Sequence, residues 1–270
     1  MLVASFTFAL MNVFVKVLAH IPAVEIIFFR SIISLVLSVT MLRTQSVSVW
    51  GFNKPILFAR GIAGAIALLI FFTLLQEVPL AAASSLAYLA PIFTTIIGIF
   101  LVQEKVKPIQ WFFFAISFGG VLVIQGFDGR IELTHLLMGL GTSLFMGLAY
   151  NFIRILKTSE HPLVIIFYFP LVMLPISGAW SWFVWVAPEG WDWVSLVLVG
   201  VLTQIAQYFM TKSYQSEELS KVSIINYVGI IFSLSFGYWL FGEVFNFMTI
   251  VGMGLILIGV ISNVLLKDRV

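Results

Sequence analysis

The stretch LLQEVPLAAASSLAYLAPIFTTIIGIFLVQEK, residues 74–105, decides how this chain is read, because its pattern returns 139 residues later without a gap. At that offset Gln76 meets Gln215, Leu80 meets Leu219, Ser84 meets Ser223, Tyr88 meets Tyr227, Gly98 meets Gly237 and Glu104 meets Glu243. Further out, Gly61 meets Gly200, Gly120 meets Gly259 and Asn12 meets Asn151. Chance matches in so apolar a chain would fall on Leu, Ile, Val and Phe, whereas these are mostly polar residues and glycines. The chain therefore reads as two copies of one unit, and a repeat in a membrane protein places the functional site where the copies meet.

Of 270 residues, 61% are hydrophobic and only 10% are charged, with 27 Phe and a mean hydropathy of +1.11. Soluble domains carry roughly 25% charged residues, so this composition belongs to an integral membrane protein. A hydrocarbon core about 30 Å thick needs about 20 apolar residues per helix. Breaks at charged and Pro-rich segments leave room for ten helices, at about 2–19, 24–42, 56–75, 80–102, 108–126, 132–153, 162–186, 193–212, 220–241 and 246–266. Runs such as IIGIFLV and LVLVGVL do not alternate apolar with polar residues, which argues against the strands of a transmembrane barrel. The absence of cysteine removes disulfides and thiolate metal sites.

Ten of the fourteen basic residues fall in or beside alternate connections: Arg43, Lys54, Lys105, Lys107, Arg154, Lys157, Lys212, Lys221, Lys267 and Arg269. The opposite connections hold only Arg130. The positive-inside bias makes the well-charged side cytoplasmic and puts both termini there. Five helices per copy then start the second copy on the other side of the membrane. The expected fold is an all-α integral membrane protein of ten transmembrane helices in two inverted five-helix repeats, 1–126 and 132–267. The first helix lacks the basic start and small-residue cleavage pattern of a removable signal peptide, and is expected to belong to the mature protein.

Polar residues inside such helices need partners that lipid does not supply. Ser5, Asn12 and Lys16 share one face of helix one, where Lys16 is read either as snorkelling to the headgroups or as a ligand. Arg30 in helix two is expected to pair structurally, with Glu25 or a loop acid, and Arg60 to snorkel at the cytoplasmic face. In helix four Pro91 frees the carbonyl of Ala87, so a break beside Ser84 and Tyr88 is expected. Gln204, Gln207 and Tyr208 form a stripe on helix eight, and Ser223, Asn226 and Tyr227 one on helix nine. For these two stripes cavity lining is favoured over interhelical bonding.

These residues resemble the EamA type of the drug/metabolite transporter superfamily. The likeness is carried by FFRS at 28–31, by the run RGIAGAIALLIFFTLLQEVPLAAASSLAYLAPIFTTIIGIFLVQEKVKPIQWFFFAISFGGVLVI at 60–124, and by FGEVFNFMTIVGMGLILIGV at 241–260. It covers essentially the whole chain. The resemblance implies a central cavity lined chiefly by helices one, three, four, six, eight and nine. Carried over by position, the substrate-binding candidates are Asn12, Lys16, Gln76, Ser84, Tyr88, Asn151, Gln204, Gln207, Tyr208, Ser223, Asn226 and Tyr227. Arg30, Pro91, Glu104 and Glu243 are assigned structural roles. The second copy has Ile230 where the first has Pro91, a departure from strict symmetry.

The function expected is secondary transport of a small polar or zwitterionic metabolite, amino-acid-like or S-adenosylmethionine-like, by alternating access in a bacterial inner membrane. Lys16 would attract a carboxylate, the amides would hydrogen-bond polar groups, and Tyr88, Tyr208 and Tyr227 would pack on the apolar part. The expected partners are the small-molecule substrate and the lipid bilayer, with no nucleic acid and no cofactor, and a homodimer is left open. No acid lies at mid-membrane, whereas proton-driven pumps commonly use one, so exchange or facilitated diffusion is favoured over multidrug antiport. A channel or receptor-like scaffold is the alternative class. An enzyme is disfavoured because His20, His135 and His161 lie near helix ends with no ligand spacing.

Overall fold

A computed structural model describes residues 1–101, 108–127, 129–216 and 228–267. The elements are α1 Leu2–Val17, α2 Ala23–Thr44, α3 Lys54–Glu77, α4 Leu80–Ala87, α5 Ala90–Leu101, α6 Pro108–Phe127, α7 Leu133–Ile155 and α8 Pro162–Val184. They are followed by α9 Asp192–Ser216, α10 Val228–Phe241 and α11 Phe247–Lys267, with no strand among the described residues. Six are long and apolar enough to cross a membrane, counting Leu80–Leu101 as one span. Shorter apolar helices occupy Leu2–Val17, Pro108–Val123, Val228–Phe241 and Phe247–Ser262. Large apolar side chains such as Phe100, Trp182 and Trp239 are exposed, as a lipid-facing surface requires.

Local sequence sets the helix starts. Pro22 and Pro79 stand immediately before α2 and α4. Pro is favourable at a helix entrance because its missing N–H is not needed there. The Asn53 side chain accepts the Ile56 N–H at the start of α3, at 3.4 Å. Two further amides there, of Phe52 and Asn53, donate to the Glu160 carboxylate, which lies before α8.

The span expected as one helix over 80–102 is instead two. Tyr88 and Leu89 form a turn between α4 and α5. Pro91 has no N–H for the Ala87 carbonyl, so the i to i−4 ladder fails here. The expected break is thus present, and it completes two half-helices rather than a bend in one.

Packing follows the 139-residue correspondence closely. α1 packs on α9 and α3 on α7, α1 on α10 and α5 on α7, while α2 pairs with α8 and α6 with α11. Individual contacts map in the same way. A Cβ on Gly61 would stand 2.8 Å from Val172 Cγ2, and a Cβ on Gly200 would stand 2.6 Å from Ile33 Cβ, the same contact with the halves exchanged. Gly120 meets the Gly252 carbonyl and Gly259 the Phe113 carbonyl, again one contact seen twice. Small residues let these backbones approach, and close packing is what holds helices together where lipid removes the hydrophobic drive. Gln76 Nε2 donates to the Ile21 carbonyl at 2.9 Å, and Gln215 Nε2 to that of Glu160 at 3.2 Å, two further equivalents.

Connections after odd-numbered spans gather at one end of the bundle. There His20 lies 3.0 Å from Asp192, His135 lies 3.3 Å from Glu77, and Glu25 accepts the Val186 N–H. The other end joins the 45–53 turn to the segment before α8 and the first turns of α8, through Glu160 and through Tyr168, whose hydroxyl donates to the Trp50 carbonyl at 2.7 Å.

Candidate functional site

Between the helices lies a cavity of about 160 Å³. α1 supplies Ser5, Phe8, Met11 and Asn12, and α3 supplies Arg60, Leu68, Phe71 and Phe72. Ser84, Tyr88 and Pro91 contribute from the broken span, Met146 and Tyr150 from α7, Gln207, Met210 and Tyr214 from α9, and Ser233 from α10. Arg30 of α2 and Phe169 of α8 complete the wall. These last two correspond at the 139-residue offset, and they lie on the second and seventh of the ten expected helices, neither of which the resemblance implied.

Of the expected substrate-binding residues, Asn12, Ser84, Tyr88 and Gln207 come together in this cavity. The Asn12 Oδ1 is buried without a hydrogen-bond partner. Ser84 Oγ shares a hydrogen bond of 2.9 Å with Ser233 Oγ. Four other residues lie off the cavity wall because each finds a partner on a neighbouring helix or turn. Lys16 sits 2.5 Å from Glu243 Oε1 and donates to the Val78 carbonyl at 2.8 Å. Gln76 holds the carbonyls of Leu18 and Ile21. Asn151 donates to those of Thr94 and Gly147, both at 2.9 Å. Gln204 donates to Ser38 Oγ at 3.0 Å. Tyr208 is half-buried against Phe209, with the Lys212 ammonium 5.8 Å from its ring centre. Ser223, Asn226, Tyr227 and Glu104 lie outside the described residues.

Both arginine expectations need correction. Glu25 is not the partner of Arg30, since its carboxylate accepts the Val186 N–H at 2.9 Å. Arg30 Nε instead donates to Thr203 Oγ1 at 2.8 Å, and that hydroxyl directs its own proton to Met11 Sδ. Arg60 does not snorkel. It is 3% exposed, lines the cavity and donates through Nη2 to Gln207 Oε1 at 3.4 Å. The reason is that α3 starts at Lys54, which carries Arg60 inside the bundle by roughly 9 Å of helix rise. Glu243 accepts the Leu80 N–H with both carboxylate oxygens, at 2.9 and 3.0 Å, and so fixes the start of α4.

Sequence reasoning passed over Arg60, Tyr150, Phe169 and Tyr214 as lining residues. For Phe169 a signal existed, its correspondence with Arg30. For Tyr150 and Tyr214, whose rings lie 5.3 Å apart, no local pattern distinguishes a cavity wall from a helix seam.

A multi-helix membrane bundle enclosing a largely apolar cavity, into which a few buried polar side chains project, has the architecture of a solute-handling membrane protein. The family model of the EamA-like transporter family matches residues 1–126 and 133–265, and the chain belongs to that family, within the drug/metabolite transporter superfamily. It is 31% identical over 262 residues to the pseudopaline exporter CntI of Pseudomonas aeruginosa, covering 96% of this chain and 92% of that one. Solute carrier family 35 member G1 of Mus musculus is 25% identical over 92% of this chain and 73% of its own. A riboflavin transporter of Brucella anthropi is 25% identical, over 82% of this chain and 80% of its own. A crystal structure at 18% identity shares the fold, with a TM-score of 0.71 over 99% of this chain and 98% of that one. The relatives are transporters and not enzymes, and this chain is a multi-pass membrane transporter.

Proposed function

We propose that the protein is a secondary transporter of a small polar or zwitterionic organic metabolite, working as an exporter or exchanger in a bacterial inner membrane. In this reading its two halves, 1–126 and 132–267, form inverted five-helix repeats that rock about the cavity, and both termini face the cytoplasm. The observation that carries the reading is a cavity walled from both halves, with Asn12, Arg30, Arg60 and Tyr88 from the first and Tyr150, Gln207, Tyr214 and Ser233 from the second. Alternating access needs a site of that kind at the interface of the halves. The exchanged packing pairs support the repeat, and relatives named for pseudopaline export and riboflavin transport support an organic solute.

Reconstituted vesicles test this directly. Efflux of solutes from vesicles loaded with a bacterial metabolite extract should saturate with concentration and accelerate when the same solutes are present outside. Flux linear in concentration, with no such acceleration, would mean a channel.

A further inference from the structure

Among the described residues, both charged side chains that line the cavity are arginines. Arg30 is 2% exposed and Arg60 is 3% exposed. Both gather at one ring, with the Arg30 and Arg60 guanidinium carbons 4.9 and 5.4 Å from the centre of Phe169, and Arg30 also 5.7 Å from that of Phe72. Among the described residues each guanidinium has one neutral anchor, Thr203 for Arg30 and Gln207 for Arg60. Arg30 Nη1, Arg60 Nε and Arg60 Nη1 are buried with no hydrogen-bond partner. Among the described residues no carboxylate lines the cavity, and neither arginine takes part in an ion pair.

Burying one guanidinium without a counter-charge is strongly unfavourable, and two facing the same space are more so. Aromatic faces and a neutral hydrogen bond each recover only part of that. Purely structural arginines would be expected to have their forks filled by carbonyls or acids of the bundle, as Lys16 and Gln76 are. Here the anchors fix the orientation of each side chain and leave the rest of the fork open.

We infer that the cavity binds an organic anion whose carboxylate is held by the open forks of Arg30 and Arg60. This deepens the transporter reading and rests on it. The planar guanidinium suits the two oxygens of a carboxylate, and exclusion of water strengthens the pairing. Asn12, with its unpartnered Oδ1, accepts an N–H or O–H of the same solute. The carbon skeleton lies against Phe8, Phe71, Met146 and Met210, which give it an apolar wall. The solute is thus a partly apolar carboxylate with a hydrogen-bond donor and net negative charge, and the carboxylate partner is this arginine pair in place of Lys16.

The experiment uses the full chain in vesicles loaded with a bacterial metabolite extract, with the exported solutes sorted by charge in a mass spectrometer. Carboxylates of net negative charge should be enriched outside, and Arg30→Gln and Arg60→Gln should each lower their flux by about thirtyfold or more. Arg60→Lys, which keeps the charge but not the fork, should retain more flux than Arg60→Gln. Melting temperatures of the purified variants separate lost binding from lost folding. If a glutamine variant does not fold, the charge class exported by the wild-type protein still decides. Enrichment of neutral or cationic solutes, or unchanged flux in folded glutamine variants, would overturn the anion assignment and leave the transporter reading intact. Export of nothing at all would remove both.

Discussion

The Lys16 ammonium and the Glu243 carboxylate, 2.5 Å apart, tie α1 to the turn between α10 and α11, and the same carboxylate receives the first amide of α4. Three segments distant in sequence thus converge on one buried acid. Removing the cation strands that acid, whereas removing both leaves no unpaired charge. Lys16→Met should therefore lower stability by about 3 kcal/mol, and Lys16→Met with Glu243→Gln should recover part of the loss. Thermal melts of these two variants beside the unaltered protein measure this, and a double variant less stable than the single one would contradict it.

The glycine contacts between α6 and α11 predict a position-specific result. A Cβ on Gly120 would stand 2.5 Å from the Gly252 carbonyl, while around Gly119 nothing lies within 4 Å. Gly120→Val should cost about 1–3 kcal/mol by overpacking. Gly119→Ala should be neutral or gain a few tenths of a kcal/mol up to about 1 from helix propensity. Melting temperature and the yield of monodisperse protein report both.

Gln76 and Gln215 occupy equivalent positions and bond equivalent carbonyls. Gln76→Leu should leave the Ile21 carbonyl unmet and cost about 1–3 kcal/mol. Solute affinity per folded molecule should stay unchanged. A change in affinity at constant stability would return Gln76 to the cavity.

Because the chain contains no cysteine, single cysteines report topology without background. Cysteines replacing His20, Glu132 and Asp192 should label together from one side of the membrane, and those replacing Gln45, Asn53 and Thr158 from the other. If the positive-inside bias holds here, the second group labels from the cytoplasmic side. Opposite labelling of residues 20 and 132 would break the inverted arrangement.

The spans were legible because lipid makes every crossing helix apolar, and the glycine seams were legible because they recur at a fixed offset. The division of polar residues was not. Lys16, Gln76, Asn151 and Gln204 sit on inward faces, as expected, but an inward face meets either empty space or a neighbouring element. What decides is whether Val78, Ile21, Thr94 or Ser38 stands opposite, and those partners lie between 55 and 166 residues away. Arg60 was misplaced for a smaller reason. Moving the start of α3 two residues earlier than expected, to Lys54, takes the guanidinium away from the headgroups.

At the 139-residue correspondence Arg30 matches Phe169 and Arg60 matches Val199. Two identical five-helix subunits would have to carry a guanidinium on both sides of the axis or on neither. Because the two copies in this chain differ in sequence, the two positions vary independently. The cavity is consequently lopsided in charge, and under the proposed anion binding a solute would be held one way round.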